Sequence, residues 1–124
     1  MTNAVNWFEI PVKNYERAKT FYSNILNSKI EDYPMPGDGK YGVFPYNTES
    51  NCVGGAIIES EGYTPSTEGA LVYLNGSDDL SIALNKVEKA GGKIVMPKTD
   101  IGENGFIAHF LDTEGNKIAI HSME

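Results

Sequence analysis

The sequence predicts an α+β fold in which two βαβββ modules, related by a pseudo-twofold axis, form one domain. The first observation is a repeated segment, because Asn-Thr-Glu-Ser-Asn at 47–51 returns 65 residues later as Asp-Thr-Glu-Gly-Asn at 112–116. The second is a strand-like apolar run ahead of each copy, at 7–12 and at 70–74. A matching helical stripe follows each run: Ala18, Phe21, Tyr22 and Ile25, then Leu80, Ala83, Leu84 and Val87. A repeat of about 60 residues is longer than a solenoid unit, so the copies are halves of one domain.

Module one is predicted to begin with a strand at 7–12, in which Trp7 and Glu9 share one face by the period-2 rule. Asn14 is a suitable N-cap for a helix over 15–26, because its side chain can accept a hydrogen bond from an otherwise unpaired amide. The remaining predicted elements of this module are a Pro- and Gly-rich loop at 33–39 and hairpin strands at 40–46 and 51–59.

Module two repeats this order, and the two modules cover residues 1–61 and 70–124 with a linker at 62–69. Its helix is expected to end at Gly91-Gly92, where glycine supplies the left-handed terminal turn. The other predicted elements are a strand at 70–74, a helix cap among 77–79, a strand at 93–96, a loop at 97–105, and hairpin strands at 106–111 and 116–122.

Composition restricts the class of function. The chain has 124 residues, a net charge of −7 and a pI near 4.8, so nucleic acid and anionic membrane surfaces are not expected partners. No apolar run reaches the length of a membrane span, and the N-terminus lacks the pattern of a signal peptide. With Cys52 as its single cysteine the chain cannot form an internal disulfide. We therefore expect a cytoplasmic protein.

Three segments resemble the vicinal oxygen chelate superfamily, which groups glyoxalase I, bleomycin-resistance proteins, fosfomycin-resistance enzymes and extradiol dioxygenases. They are 12–22, a strand-cap-helix segment with a Phe-Tyr pair; 87–94, Val-Glu-Lys-Ala-Gly-Gly-Lys-Ile; and 110–118, which is similar to the family's Asp-Pro-Asp/Glu-Gly-Asn hairpin with Thr113 in place of proline. The resemblance spans essentially the whole chain. It implies paired modules that form a curled mixed sheet around a cleft, and it implies a homodimer.

The family's metal ligands are His, Gln and Glu side chains, one from each of four strands. Carried over by position, they fall on Trp7, within 69–71, on Ala119 and between Gly54 and Ala56. None of these residues has a side chain that a hard or borderline cation would accept. We therefore predict no metal and no other cofactor, and the metal-assisted glyoxalase mechanism is not expected here.

The candidate ligand-binding residues are Trp7, Glu9, Phe44, Tyr46, His109 and His121. Trp7 either fills the space of the family's metal or forms a stacking wall for a planar ligand. Glu9 either anchors a ligand cation or acts as a base, or it pairs with a lysine at a wet cleft edge. His121 shares a strand face with Ala119 and, if Glu9 lies opposite, the two are candidate catalytic acid and base. His109 is expected in partly apolar surroundings.

Three functions follow from these alternatives. The first is a protein that binds a small organic molecule in a metal-free cleft. The second is a lyase or isomerase that acts on a carbonyl compound through Glu9 and His121. The third is a structural or regulatory dimer whose cleft is filled by its own side chains. Two further expectations concern single residues: Asp112 and Glu114 should bond amides within their own turn, and Cys52 should be a small buried hydrophobe.

Overall fold

The computed structural model describes residues 3–49 and 52–124, and in this part of the chain it contains two α-helices and eight strands. The elements follow the order βαβββ twice, as the sequence predicts. Module one consists of β1 (Trp7–Pro11), α1 (Tyr15–Leu26), β2 (Glu31–Tyr33), β3 (Lys40–Val43) and β4 (Gly54–Glu59). Module two consists of β5 (Tyr73–Asn75), α2 (Ser81–Val87), β6 (Lys93–Asp100), a 3-10 turn (Gly102–Asn104), β7 (Phe106–Leu111) and β8 (Lys117–Ser122).

Each module forms its own four-stranded mixed sheet, and the two sheets have the same topology. The strand orders are β1-β4-β3-β2 and β5-β8-β7-β6, with the first strand of each module at an edge and parallel to its neighbour. Trp7 pairs with Gly54 in the first sheet, and Tyr73 pairs with Ala119 in the equivalent place of the second. The α+β class and the duplicated architecture are therefore confirmed. The strand register makes Tyr73, not the segment 69–71, the counterpart of Trp7.

Helix α1 has the predicted bounds, and its cap is the predicted one. The Asn14 side chain accepts a hydrogen bond from the Arg17 amide at 3.1 Å. Strand β3 is shorter than predicted because Pro45 has no amide to donate to the ladder. The predicted strand over 51–59 begins at Gly54, and its first residue, like Ser50 in the predicted turn, lies outside the described residues.

Module two differs from the prediction at its helix and at its second strand, β6. Helix α2 starts at Ser81 with Leu80 as N-cap, although Asp79 still accepts a hydrogen bond from the Ser81 amide at 2.9 Å. The helix proper ends at Val87, and a final turn continues to Gly91 at φ +106°. The loop predicted over 97–105 is wrong in its first part, because edge strand β6 continues through Pro97. Irregular register between Ile94/Met96 and Met96/Thr99 accommodates that proline.

The apolar faces of both modules contribute to a shared core. Helices α1 and α2 contact each other, and Phe21 of α1 packs against Phe110 of β7 with ring centroids 6.0 Å apart. Tyr22 packs edge-on against Phe44 from the first module at 5.7 Å. The apolar stripes recognised in the sequence are the buried faces of both helices. In the part of the chain that the structure describes, no helix has the length and apolar character needed to cross a membrane.

The modules are joined by the hairpin turn at 112–116, whose central carboxylate is buried. Glu114 Oε1 accepts hydrogen bonds from the backbone amides of Lys13 and Asn14, at 2.9 and 2.7 Å. Its second oxygen lies 2.6 Å from Arg17 Nε. Burial would raise the pKa of Glu114, but the ion pair with Arg17 and the hydrogen bonds from Thr113 and the two amides outweigh it and lower the pKa to about 2.

Two other residues of this turn, Asp112 and Asn116, also form hydrogen bonds with module one. Asp112 accepts a hydrogen bond from Tyr22 Oη at 2.6 Å, and Asn116 Nδ2 donates to the carbonyl of Pro11 at 2.8 Å. Asp112 also bonds the amides of Glu114 and Asn116, which confirms the predicted turn chemistry for that residue. For Glu114 the prediction is wrong, because its oxygens serve the start of α1 about 100 residues away.

In the earlier copy of the motif, the described residues 47–49 make no such contact with the other module. Asn47 accepts the Glu49 amide at 2.9 Å within its own turn, and both residues are exposed. The start of α2 is instead served by Asp79 and by Ser122 Oγ, which accepts the Leu80 amide at 2.9 Å. Of the two glutamates in the duplicated motif, Glu114 therefore joins the modules and Glu49 does not.

Replacing Glu114 by alanine is expected to lower the free energy of unfolding by about 3 kcal/mol, because two buried amides and a guanidinium lose their acceptor. The matched control is Glu49→Ala, which removes the equivalent exposed carboxylate and should change stability by about 0.5 kcal/mol or less. Urea unfolding followed by circular dichroism measures both. Equal effects of the two changes would contradict the proposed role of Glu114.

Acidification should destabilise the protein through the same carboxylate. The pKa of Glu114 is lowered from 4.5 to about 2 in the folded chain, so the unfolded chain binds more protons between these values. Its contribution to stability is therefore present above about pH 4.5 and disappears as the pH falls toward 2. We expect the free energy of unfolding of Glu114→Gln to depend less on pH across this window than that of the unmodified chain. Parallel pH profiles for the two proteins would argue against this.

Candidate functional site

A groove of about 1300 Å³ opens between the two modules. Its walls are the first residues of β1 and β4, the C-terminal end of α1, strand β5 with its flanking residues, and one side of α2. Val53 reaches it from the first hairpin, and Gly76 and Ser77 reach it from the segment ahead of α2. The groove thus lies where a second copy of the Glu114 junction would join the first hairpin to α2.

The groove is bordered by apolar side chains that remain in contact with solvent. Ile82 is 63% exposed, Val5 54% and Val53 39%. Trp7 and Phe44 supply aromatic surface, Trp7 half-buried and Phe44 buried. Mostly apolar concave surface with a few polar groups is the usual composition of a small-molecule site.

Trp7 is fixed by a chain of hydrogen bonds that the sequence did not reveal. Its Nε1 donates to Tyr41 Oη at 3.0 Å, and Tyr41 Oη donates to Glu9 Oε2 at 2.6 Å. Tyr46 packs edge-on against the indole with ring centroids 5.6 Å apart. Burial and the bond to Glu9 raise the pKa of Tyr41, so this phenol stays protonated near neutral pH. Glu9 is exposed, and its partner is the hydroxyl group of Tyr41 instead of the lysine that the sequence suggested as one alternative.

The positions that carry metal ligands in the resembled family do not fit a metal here. By strand register they are Trp7, Gly54, Tyr73 and Ala119, which provide an indole, no side chain, a phenol and a methyl group. A Cβ on Gly54 would lie 2.6 Å from the ring of Tyr46, so that ring occupies the space of a ligand side chain. Within 3–49 and 52–124, no three His, Cys, Asp or Glu residues group closely enough to hold a metal ion.

The two histidines lie on the second sheet. His121 Nε2 donates to the carbonyl of Asn104 at 2.7 Å. His121 borders a second cavity of about 680 Å³, which adjoins the groove at Tyr73, Leu74, Asn75 and Ser77. His109 is half-buried and its Nε2 lies 3.4 Å from Tyr73 Oη. Burial, assisted by the charge of Lys117, lowers the pKa of His109, which agrees with the partly apolar surroundings expected for it.

The structure brings only some of the predicted site residues together. Trp7 and Phe44 line the groove, and Tyr46 supports the indole from outside the lining. Glu9 and His121 have different hydrogen-bond partners and share no cavity, so the acid–base pair is not assembled. Cys52 is exposed at the groove, and the expectation of a buried thiol is wrong.

Sequence reasoning missed three residues around the groove: Tyr41, Tyr73 and Lys86. The role of Tyr41 could not be predicted, because period-2 parity gives the face of a residue but not its partner across the sheet. Tyr73 was missed because the sequence predicts that its strand begins at residue 70, whereas β5 begins at Tyr73, so the position equivalent to Trp7 was assigned about three residues too early. For Lys86 the only signal was its position three residues after Ala83, a member of the apolar stripe.

Comparison with known proteins gives consistent matches along the chain. The family model described as Glyoxalase/Bleomycin resistance protein/Dioxygenase superfamily matches residues 4–120. A glyoxylase-like domain-containing protein of Didymella fabae is 32% identical over 122 residues, covering 94% of this chain and 91% of that protein. CFP32 of Mycobacterium bovis is 29% identical over 93% of this chain, which spans only 44% of the length of that relative. The solved structure of a glyoxalase I mutant from Zea mays has a TM-score of 0.73 at 24% identity, over 94% of this chain and 45% of the other.

We expect the purified protein to retain no stoichiometric metal. After dialysis against buffer containing zinc, nickel, manganese and iron salts, followed by metal-free buffer, elemental analysis should find about 0.1 metal ion per chain or less, because no hard or borderline ligand set is present at the four positions. A retained ratio near one metal per chain would show that ligands lie elsewhere than these positions.

Proposed function

Because this chain belongs to the glyoxalase/bleomycin resistance protein/dioxygenase superfamily, we propose that it binds a small organic molecule, without a metal, in the groove between its modules. The observation that carries the proposal is the groove itself, which is concave, has a volume of about 1300 Å³ and is lined mainly by apolar residues. Trp7, whose indole N–H is hydrogen-bonded, forms part of its wall. A typical drug-sized site has roughly 300–1,000 Å³. The ligand therefore fills part of this space.

Binding is proposed in preference to metal-assisted isomerisation. The names of the relatives from Didymella fabae and Zea mays refer to glyoxylase and glyoxalase. That chemistry requires an electrophile for the developing enediolate. The residues at the four strand positions supply none, and Trp7 with Tyr46 covers the space above Gly54. The indole of Trp7, which lines the groove, offers a flat apolar surface to a planar ligand.

Two further parts of the proposal concern the setting of the protein. The homodimer implied by the family resemblance stays a prediction, as does the cytoplasmic location expected from the single cysteine. The apolar side chains exposed along the groove, among them Ile82 and Val5, support a function in which this surface is covered by a bound molecule.

A neutral fluorescent probe, N-phenyl-1-naphthylamine, tests the groove. Its emission should rise on binding, and the emission of Trp7, the single tryptophan, should fall with the same saturation curve. Val53→Glu places a charge on the apolar wall and should weaken binding about tenfold. Val95→Glu is the matched control, because Val95 is similarly exposed on β6 and does not line the groove.

Two results would contradict the proposal. The first is an unmodified protein that does not bind the probe at any concentration up to its solubility limit. The second is an equal loss of affinity in Val53→Glu and Val95→Glu, because the probe would then be adsorbed on general apolar surface. Thermal unfolding of each variant shows that the fold is retained.

A further inference from the structure

The groove differs in charge from the rest of the molecule. The chain as a whole has a net charge of −7. Among the described residues that line the groove there is no aspartate or glutamate, and Lys86 of α2 is the single charged side chain. The other polar lining groups are neutral, among them Asn27, Ser28, Tyr73, Asn75 and Ser77. An acidic protein thus presents an apolar groove with one positive charge.

Lys86 is half-buried without an ion pair among the described residues, a property that it shares with Lys117, but Lys117 does not line the groove. Lys19 and Lys98 are half-buried like Lys86, and each forms an ion pair at 2.9 Å, with Asp32 and with Asp79. In the described part of the chain, Lys86 has neither an ion pair nor a side-chain hydrogen bond. A half-buried lysine can lay its aliphatic stem on an apolar wall while its charged head stays accessible, so the ammonium group of Lys86 is available to a negatively charged ligand in the groove.

Its position in the helix accounts for part of this arrangement. Lys86 lies in the last turn of α2, where the helix dipole favours a cation. Lys89, on the turn that follows α2, is exposed and does not line the groove, so a cation near this helix end need not face it. The dipole explains why a lysine is tolerated here. It does not explain why the groove excludes carboxylates.

We propose that the groove is selective for an apolar organic anion that carries a single carboxylate, and that Lys86 supplies the counter-charge. This rests on the proposed function and names the chemical class of its ligand. The carboxylate pairs with the Lys86 ammonium group beside the apolar wall, where a lower local dielectric constant than that of bulk water strengthens the attraction. The hydrocarbon or aromatic part lies along the apolar wall. A cationic ligand of the same shape meets an unpaired ammonium group and is disfavoured.

Three ligands of one shape and different charge test the class: 2-naphthoate, 2-naphthol and 2-naphthylmethylammonium. Isothermal titration calorimetry at neutral pH and low salt should show naphthoate binding about tenfold more tightly than naphthol, and the ammonium compound most weakly. In Lys86→Met the advantage of naphthoate should disappear while the affinity for naphthol is unchanged. Lys86→Arg should preserve the order, and Lys89→Met is the matched control that should leave all three affinities unchanged.

The outcomes distinguish failure of the anionic-ligand assignment from failure of the proposed binding function. If N-phenyl-1-naphthylamine and all three naphthalenes fail to bind, the proposed binding function is wrong. If naphthol binds at the groove but naphthoate binds no more tightly, the assignment of an anionic ligand is overturned and the binding function stands. The same conclusion follows if Lys86→Met and Lys89→Met reduce naphthoate affinity equally, because the net charge of the surface would then explain the preference.

Discussion

The buried carboxylate of Glu114 is the constraint on which the arrangement of the modules depends. A charge removed from water must be met by donors, and here the donors are two amides at the start of α1 and the guanidinium of Arg17. These partners are about 100 residues away in sequence and belong to the other module. The hairpin can therefore satisfy its own charge only when the modules are docked. The contacts of Glu114 therefore stabilise the hairpin turn and the packing of the two modules at the same time.

The opposite side of the pseudo-twofold lacks this constraint, and the groove lies there. The first hairpin keeps the Thr-Glu pair of the repeat, but Glu49 remains exposed and α2 takes its capping contacts from Asp79 and Ser122. A second junction like the first would draw this hairpin toward α2 and narrow the space between them. One closed junction holds the modules together, so the other side can stay open without loss of the fold.

The sequence was informative where one periodicity decided the outcome. The stripe on α1, the Asn14 cap and the last hairpin each follow from spacing or turn chemistry within a dozen residues. Strand β2 could not be placed, because its three residues are all exposed and show no alternation. Pro97 was misread as a loop residue, since an edge strand with irregular register tolerates a proline that a central strand would not. The bond of Trp7 to Tyr41 and the neighbours of Lys86 depend on contacts between elements far apart in sequence.

Trp7 of β1 accounts both for the misfit to a metal at position 7 and for the aromatic surface in the groove. An indole at position 7 cannot ligate a cation, and it needs a hydrogen-bond acceptor for its N–H when half-buried. Tyr41 provides that acceptor and donates its own hydrogen bond to Glu9, so the Glu9 carboxylate is engaged in positioning an aromatic ring. Catalytic acid–base work would require this carboxylate to face a substrate with its lone pairs available. Here the side chains of Glu9 and Tyr41 instead hold the indole of Trp7 in place beside the apolar surface of the groove.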